Sequence, residues 1–147
     1  MSDVSAFGSL IGKRALITGG SSGIGRAMAL EFARAGADVI IHFGKSSDAA
    51  AVVSEEVRQI GQKSIILGAD FSVTDGLDEF LSASFAVWGG LDIWVGNAGV
   101  DLLTGESANA DYSTKLRRLL AVDVEAGMLL AKRAGQQMAK SGGGNIL

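Results

Sequence analysis

The chain has 147 residues, 48% of them hydrophobic, with no cysteine and a formal net charge of −3. That length supports one compact domain. The composition provides no general basic field for nucleic acid, no thiolate metal site or disulfide framework, and no apolar run as long as a membrane span.

Residues 14–19 open with the short apolar run Ala15-Leu16-Ile17 and are expected to form a buried strand. A glycine-rich turn follows, Thr18-Gly19-Gly20-Ser21-Ser22-Gly23-Ile24-Gly25. A helix is expected over about 23–35, with Ile24, Met28, Phe32 and Ala35 as its apolar face and Gly36 in the C′ position. Asp38–Phe43 is continuously apolar apart from Asp38 and His42, which suits a strand buried on both faces. Ser46 or Ser47 is placed to cap a second helix that runs to about Ile60 and stops at Gly61. A third strand covers 64–67. Ser72 and Asp75 have the spacing of a capping box for a helix carrying Leu77, Phe80, Leu81, Phe85 and Trp88 and ending at Gly89. A fourth strand is expected over 91–96, and one long helix over 113–140. Gly142-Gly143-Gly144 breaks that helix, and Asn145-Ile146-Leu147 begins a fifth strand. Many of the 21 glycines fall at these turns, and the absence of proline fits a chain that is nearly all strand, helix and tight turn.

Strands alternating with helices imply a parallel sheet covered on both faces, a three-layer α/β/α arrangement. Right-handed crossovers give a doubly wound sheet, and the expected strand order is 3-2-1-4. The crevice then lies at the switch between the first and fourth strands. Glycines in a strand-to-helix turn allow close approach of a ligand. The helix behind them offers unpaired N–H groups to a pyrophosphate. The glycine spacing is G-x-x-x-G-x-G, carried by Gly19, Gly23 and Gly25, rather than G-x-G-x-x-G.

This turn, followed by Asn97-Ala98-Gly99 after the fourth apolar run, resembles the short-chain dehydrogenase/reductase family over essentially the whole chain. The resemblance implies a Rossmann-type domain over 1–147. It also implies hydride transfer between nicotinamide and a carbonyl or alcohol carbon of a small molecule. In relatives the turn at Gly19, Ser21, Ser22, Gly23 and Ile24 holds the pyrophosphate and adenosine ribose. The end of the second strand selects the cofactor. Phe43 stands where an acid would select NAD(H), and Gly44, Lys45, Ser46 and Ser47 follow, with His42 nearby. NADP(H) is therefore favoured over NAD(H), because a cation and hydroxyls suit a 2′-phosphate. Asp70 and Phe71 match the pair that meets the adenine edge. Asn97, Ala98, Gly99 and Val122 complete the cofactor set, and Gly96 stands where the family motif has another Asn.

The family's chemistry uses a Ser and a Tyr-x-x-x-Lys after the fifth strand, and this sequence contains neither at that place. Its only tyrosine, Tyr112, is three residues from Lys115 and precedes the long helix, so the pair is read as a decoy. Asp123 occupies the position of the Asn in the family's catalytic tetrad. The expected protein is the cofactor-binding portion of such an oxidoreductase, ending before the catalytic Ser, Tyr and Lys. The alternatives are a non-catalytic dinucleotide-sensing module and a structural assembly fragment. In relatives the long helix packs against its symmetry mate, so a homo-oligomer through 113–140 is expected. Met1–Ala6 lacks a basic segment followed by an apolar core, so a cytoplasmic location is expected.

Overall fold

The computed structural model describes residues 8–147, so the reading of Met1–Ala6 lies outside the described residues. Five parallel strands form one sheet: β1 (Arg14–Ile17), β2 (Asp38–Phe43), β3 (Ser64–Gly68), β4 (Ile93–Val95) and β5 (Asn145–Ile146). Their order is β3-β2-β1-β4-β5, the expected doubly wound order with the fifth strand added beside β4. Leu16, Ile17, Ile40, Ile41 and Trp94 are all but fully buried, as the strands of a two-sided sheet require.

Two apolar layers cover the sheet. On one face α1 (Gly23–Arg34) and α2 (Ser47–Ile60) pack over Ile17, Val39, Ile41 and Val95. On the other, α3 (Leu77–Ala86) and α5 (Gly127–Lys140) pack over Leu16, Ile40 and Trp94. Arg14 binds β1 to the residue before β4. Its backbone N–H and its Nε both donate to Asp92 Oδ2, at 2.8 and 2.9 Å. No helix among the described residues is long and apolar enough to cross a membrane.

Four local expectations change. The buried residues of α1 are Gly25, Ala29, Leu30 and Ala33, and Ile24 is 74% exposed. Small side chains and Leu30 form the buried contact, while Met28 and Phe32 pack partly buried against the same core. The Ser72–Asp75 capping box does not form. The N–H and hydroxyl of Ser72 both donate to Asp70, and a single 3₁₀ turn at Thr74–Gly76 leads into α3 instead. Ser46 precedes α2 in the cap position, but its side chain makes no cap hydrogen bond. The long helix is three segments: α4 (Tyr112–Leu119), a π-helical stretch (Leu120–Ala126) and α5. Its start is capped by Asp111, whose Oδ1 accepts from the Thr114 N–H at 2.9 Å.

Candidate functional site

At the carboxyl ends of β1, β2, β3 and β4 the structure opens a crevice of about 570 Å³. Thr18 organises the floor. Its hydroxyl donates to the Val95 carbonyl at 3.0 Å and accepts from the N–H groups of Asn97 and Ala98 at 2.8 and 2.9 Å. The Asn97 side chain donates to the carbonyls of Thr18 and Gly19 at 3.0 and 3.2 Å. The two motifs are thus one hydrogen-bonded unit, and Asn97 serves as a brace between their loops.

The glycines divide their work. Gly23 has φ +53° and no protein atom within 4 Å of where a Cβ would stand. It needs glycine for its left-handed backbone and faces open space. Gly25 sits where a Cβ would come within 2.2 Å of the Gly19 carbonyl oxygen. It lets α1 pack backbone to backbone against the turn, so that Ser21, Ser22, Gly23 and Ile24 line the crevice.

His42 lines the crevice, as expected, but without a charge. The residue is 2% exposed. Nδ1 accepts the Gly19 N–H at 3.0 Å, so Nε2 carries the proton and donates to the Ala69 carbonyl at 2.9 Å. Burial pushes its pKa down to about 4, and the ring is neutral at pH 7. Both ring nitrogens are engaged within the protein, so His42 offers no cation to a phosphate. It ties the glycine turn to the loop after β3 and stacks on Phe71, ring centroids 4.1 Å apart. Phe71 itself is buried, and its ring meets Phe80 edge-on.

Of the other expected residues, Gly19, Gly44, Lys45, Asp70, Asn97, Ala98, Gly99 and Val122 line the crevice. Phe43 and Ser46 do not: Phe43 packs over Gly68 on the α1–α2 side, and Ser46 is exposed at the start of α2. Asp70 Oδ1 accepts from the Ser72 N–H and hydroxyl at 2.9 and 2.6 Å. The Ser72 hydroxyl above all holds the Asp70 carboxyl below the usual carboxylate range. Asp123 lies in the π-helical stretch, outside the crevice lining, and its Oδ1 accepts the Val100 N–H at 3.0 Å. It therefore fixes the end of the Asn97–Val100 loop. Tyr112 and Lys115 line no part of the crevice, and Lys115 Nζ donates to the Ala108 carbonyl. The sequence reading missed Ala69, Ser72, Val100, Asp101, Ser107 and Arg118 as lining residues. Ala69 and Ser72 flank the Asp70–Phe71 pair and were reachable by extending that motif. The other four come from the loop after β4 and from α4, where no motif marks them.

A parallel sheet of this order, with a glycine turn and a braced loop at its switch point, defines a Rossmann-type α/β protein. The short chain dehydrogenase family matches residues 13–147, and the chain belongs to that family. L-rhamnose 1-dehydrogenase (NAD(P)(+)) of Sphingomonas sp. (strain SKA58) is 32% identical over 140 residues, 94% of this chain and 54% of that protein. A short-chain type dehydrogenase/reductase from Mycobacterium marinum superposes with a TM-score of 0.83 at 34% identity, covering 98% of this chain and 57% of the other. A metagenomic short-chain oxidoreductase in complex with NADP has a TM-score of 0.81 at 28% identity, over 93% and 61% of the two chains. The chain spans about a third to about half of the length of the curated relatives it matches.

Proposed function

We propose that these 147 residues form a single cofactor-binding domain of an oxidoreductase that moves hydride between a nicotinamide and a carbonyl or alcohol carbon. The observation that carries this reading is the hydrogen-bonded unit of Thr18, Gly19 and Asn97 behind the crevice. It presents the Ser21–Ile24 turn at the start of α1, where N–H groups and the helix dipole suit a pyrophosphate. Gly19, Ser21, Ser22, Gly23 and Ile24 would hold that group, and Asp70 would accept from the adenine amine. Gly99 and Val122 would line the path toward the nicotinamide, which supplies the hydride when bound.

The preferred cofactor is NADP(H). Lys45 lines the crevice beyond β2, no carboxylate occurs from Phe43 to Ser47, and a 2′-phosphate is the group such a cation serves. His42 takes no part in that preference, because it is neutral and spent internally. The relative solved with NADP supports the cofactor class. A small carbonyl or alcohol as substrate and a cytoplasmic location belong to the same proposal. So does self-association through 113–140, which Leu116, Leu120, Val124 and Met128 support as an exposed apolar stripe.

Titration calorimetry of the chain with NADP+ and NAD+ tests the reading. NADP+ binds more tightly, and Lys45→Ala weakens NADP+ by about 1–2 kcal/mol while leaving NAD+ unchanged. Equal or tighter binding of NAD+ overturns the preference, and binding of neither overturns the function.

A further inference from the structure

Arg118 is one of two cations, with Lys45, that line the crevice among the described residues. It enters from the last turn of α4, an element with no part in the glycine-turn and Asn97 motifs. Its Nη1 donates to the Ser107 hydroxyl at 3.0 Å, a neutral partner. It belongs to none of the ion pairs among the described residues. The rest of its guanidinium is available to the crevice.

Asp70 supplies the complementary group. Ser72 occupies Oδ1, which leaves Oδ2 as the open acceptor. The Asp70 carboxyl, held below its ordinary range first by the Ser72 hydroxyl and N–H, also feels smaller attractions from Lys45 and Arg118. Carboxylate and guanidinium are therefore neighbours around one volume without being bonded to each other. The crevice lining they share is apolar at Ala69, Phe71 and Val122. A flat, weakly hydrated guanidinium packs well on an aromatic face. A carboxylate beside it accepts from an exocyclic amine. A flat ring bearing an amino group satisfies both.

We propose that Arg118 is a base-contacting residue of this crevice, its guanidinium packing on the adenine ring while Asp70 Oδ2 accepts from the adenine amine. The inference rests on the cofactor reading above and adds a specificity-determining residue to it. The competing role for Arg118 is to hold the 3₁₀ turn at Gly105–Asn109 through Ser107, with no contact to ligand.

Calorimetry with three probes on four proteins separates the two. The probes are NADP+, adenosine 2′,5′-bisphosphate and nicotinamide mononucleotide. The proteins are wild type, Arg118→Ala, Arg118→Lys and Ser107→Ala, each checked for unchanged circular dichroism. Arg118→Ala weakens NADP+ and the adenosine bisphosphate alike, by about tenfold, the scale of a partly desolvated cation–π contact. It leaves nicotinamide mononucleotide as in wild type. Arg118→Lys keeps the charge but not the plane, and binds the adenosine probes nearly as weakly as the alanine variant. Ser107→Ala keeps the guanidinium but removes its hydrogen bond, so it weakens the adenosine probes less than Arg118→Ala does and leaves nicotinamide mononucleotide as in wild type. Wild-type affinity in Arg118→Ala, an equal loss in Ser107→Ala, or full affinity in Arg118→Lys overturns the contact while the cofactor reading stands. Failure of wild type to bind either NADP+ or NAD+ overturns both.

Discussion

At the scale of single residues, His42 shows what a sequence position conceals. The sequence places it at the end of β2, beside the expected 2′-phosphate. Its actual partners are Gly19 and Ala69, 23 and 27 residues away in the chain, and only the packing of three strands brings them together. Protonating Nδ1 would set its new N–H against the Gly19 N–H in a buried site. Burial above all lowers the folded pKa, to about 4 from 6.5. The sign follows: between those values the unfolded chain binds a proton that the folded chain refuses. Stability is full above pH 6.5 and falls as the pH drops toward 4, by about 3 kcal/mol in total. His42 is the only histidine, and the carboxyls of Asp70 and Asp92, lowered from 3.8, titrate below that window. Urea unfolding at steps from pH 7.5 to 4.5 should show this loss in wild type, and His42→Gln should flatten the slope. A slope that survives the substitution would assign it elsewhere.

At the scale of elements, α1 makes the difference between a glycine that frees the backbone and one that makes room. Both are equally visible in the sequence, and periodicity there marks Ile24, Met28 and Phe32 because large apolar residues carry the signal. The contact itself uses Gly25, Ala29 and Ala33, which periodicity counts weakly. Gly25→Ala would force a Cβ against backbone, 2.2 Å from Gly19 O, and against Asn97 Nδ2 at 2.6 Å. It should lose about 2–3 kcal/mol, at the upper end of overpacking. Gly23→Ala meets no protein atom and should lose about 1 kcal/mol for its left-handed φ alone. Chemical denaturation of the two variants checks the order, and a reversed order would mean that α1 sits further from the sheet. The larger Gly23→Val adds strain at this left-handed φ and should bar a pyrophosphate from the open side of the turn, read as loss of NADP+ binding in calorimetry with circular dichroism retained. The π-helical stretch at Leu120–Ala126 was illegible for a related reason. Neither proline nor glycine interrupts those residues, so nothing local announces a change of helical pitch.

At the scale of the molecule, the sheet was the most legible part. Strands buried on both faces must be apolar runs, and right-handed crossovers restrict alternating runs and helices to a few doubly wound orders, of which β3-β2-β1-β4-β5 is the one formed. The crevice floor was legible through Thr18, the glycines and Asn97, because each motif carries its own backbone geometry. The wall from Asp101 to Arg118 was not, because its residues reach the crevice only through the course of a loop and the docking of α4. That wall also bears on catalysis. Moving hydride requires a proton at the carbonyl oxygen as well as an oriented nicotinamide. General acid–base help contributes about 10²–10⁴-fold and oxyanion stabilisation about 10²–10³-fold. Within these residues the one tyrosine, Tyr112, is 79% exposed, and Lys115 is engaged with the Ala108 carbonyl. Neither lines the crevice, and Asp123 Oδ1 accepts the Val100 N–H. The 147-residue chain should therefore bind NADPH and yet leave a panel of ketones unreduced, with NADPH absorbance constant over hours. Robust turnover that vanishes in Tyr112→Phe would show that the exposed pair can swing into the site. Turnover indifferent to that change would show that the exposed pair does not supply the proton.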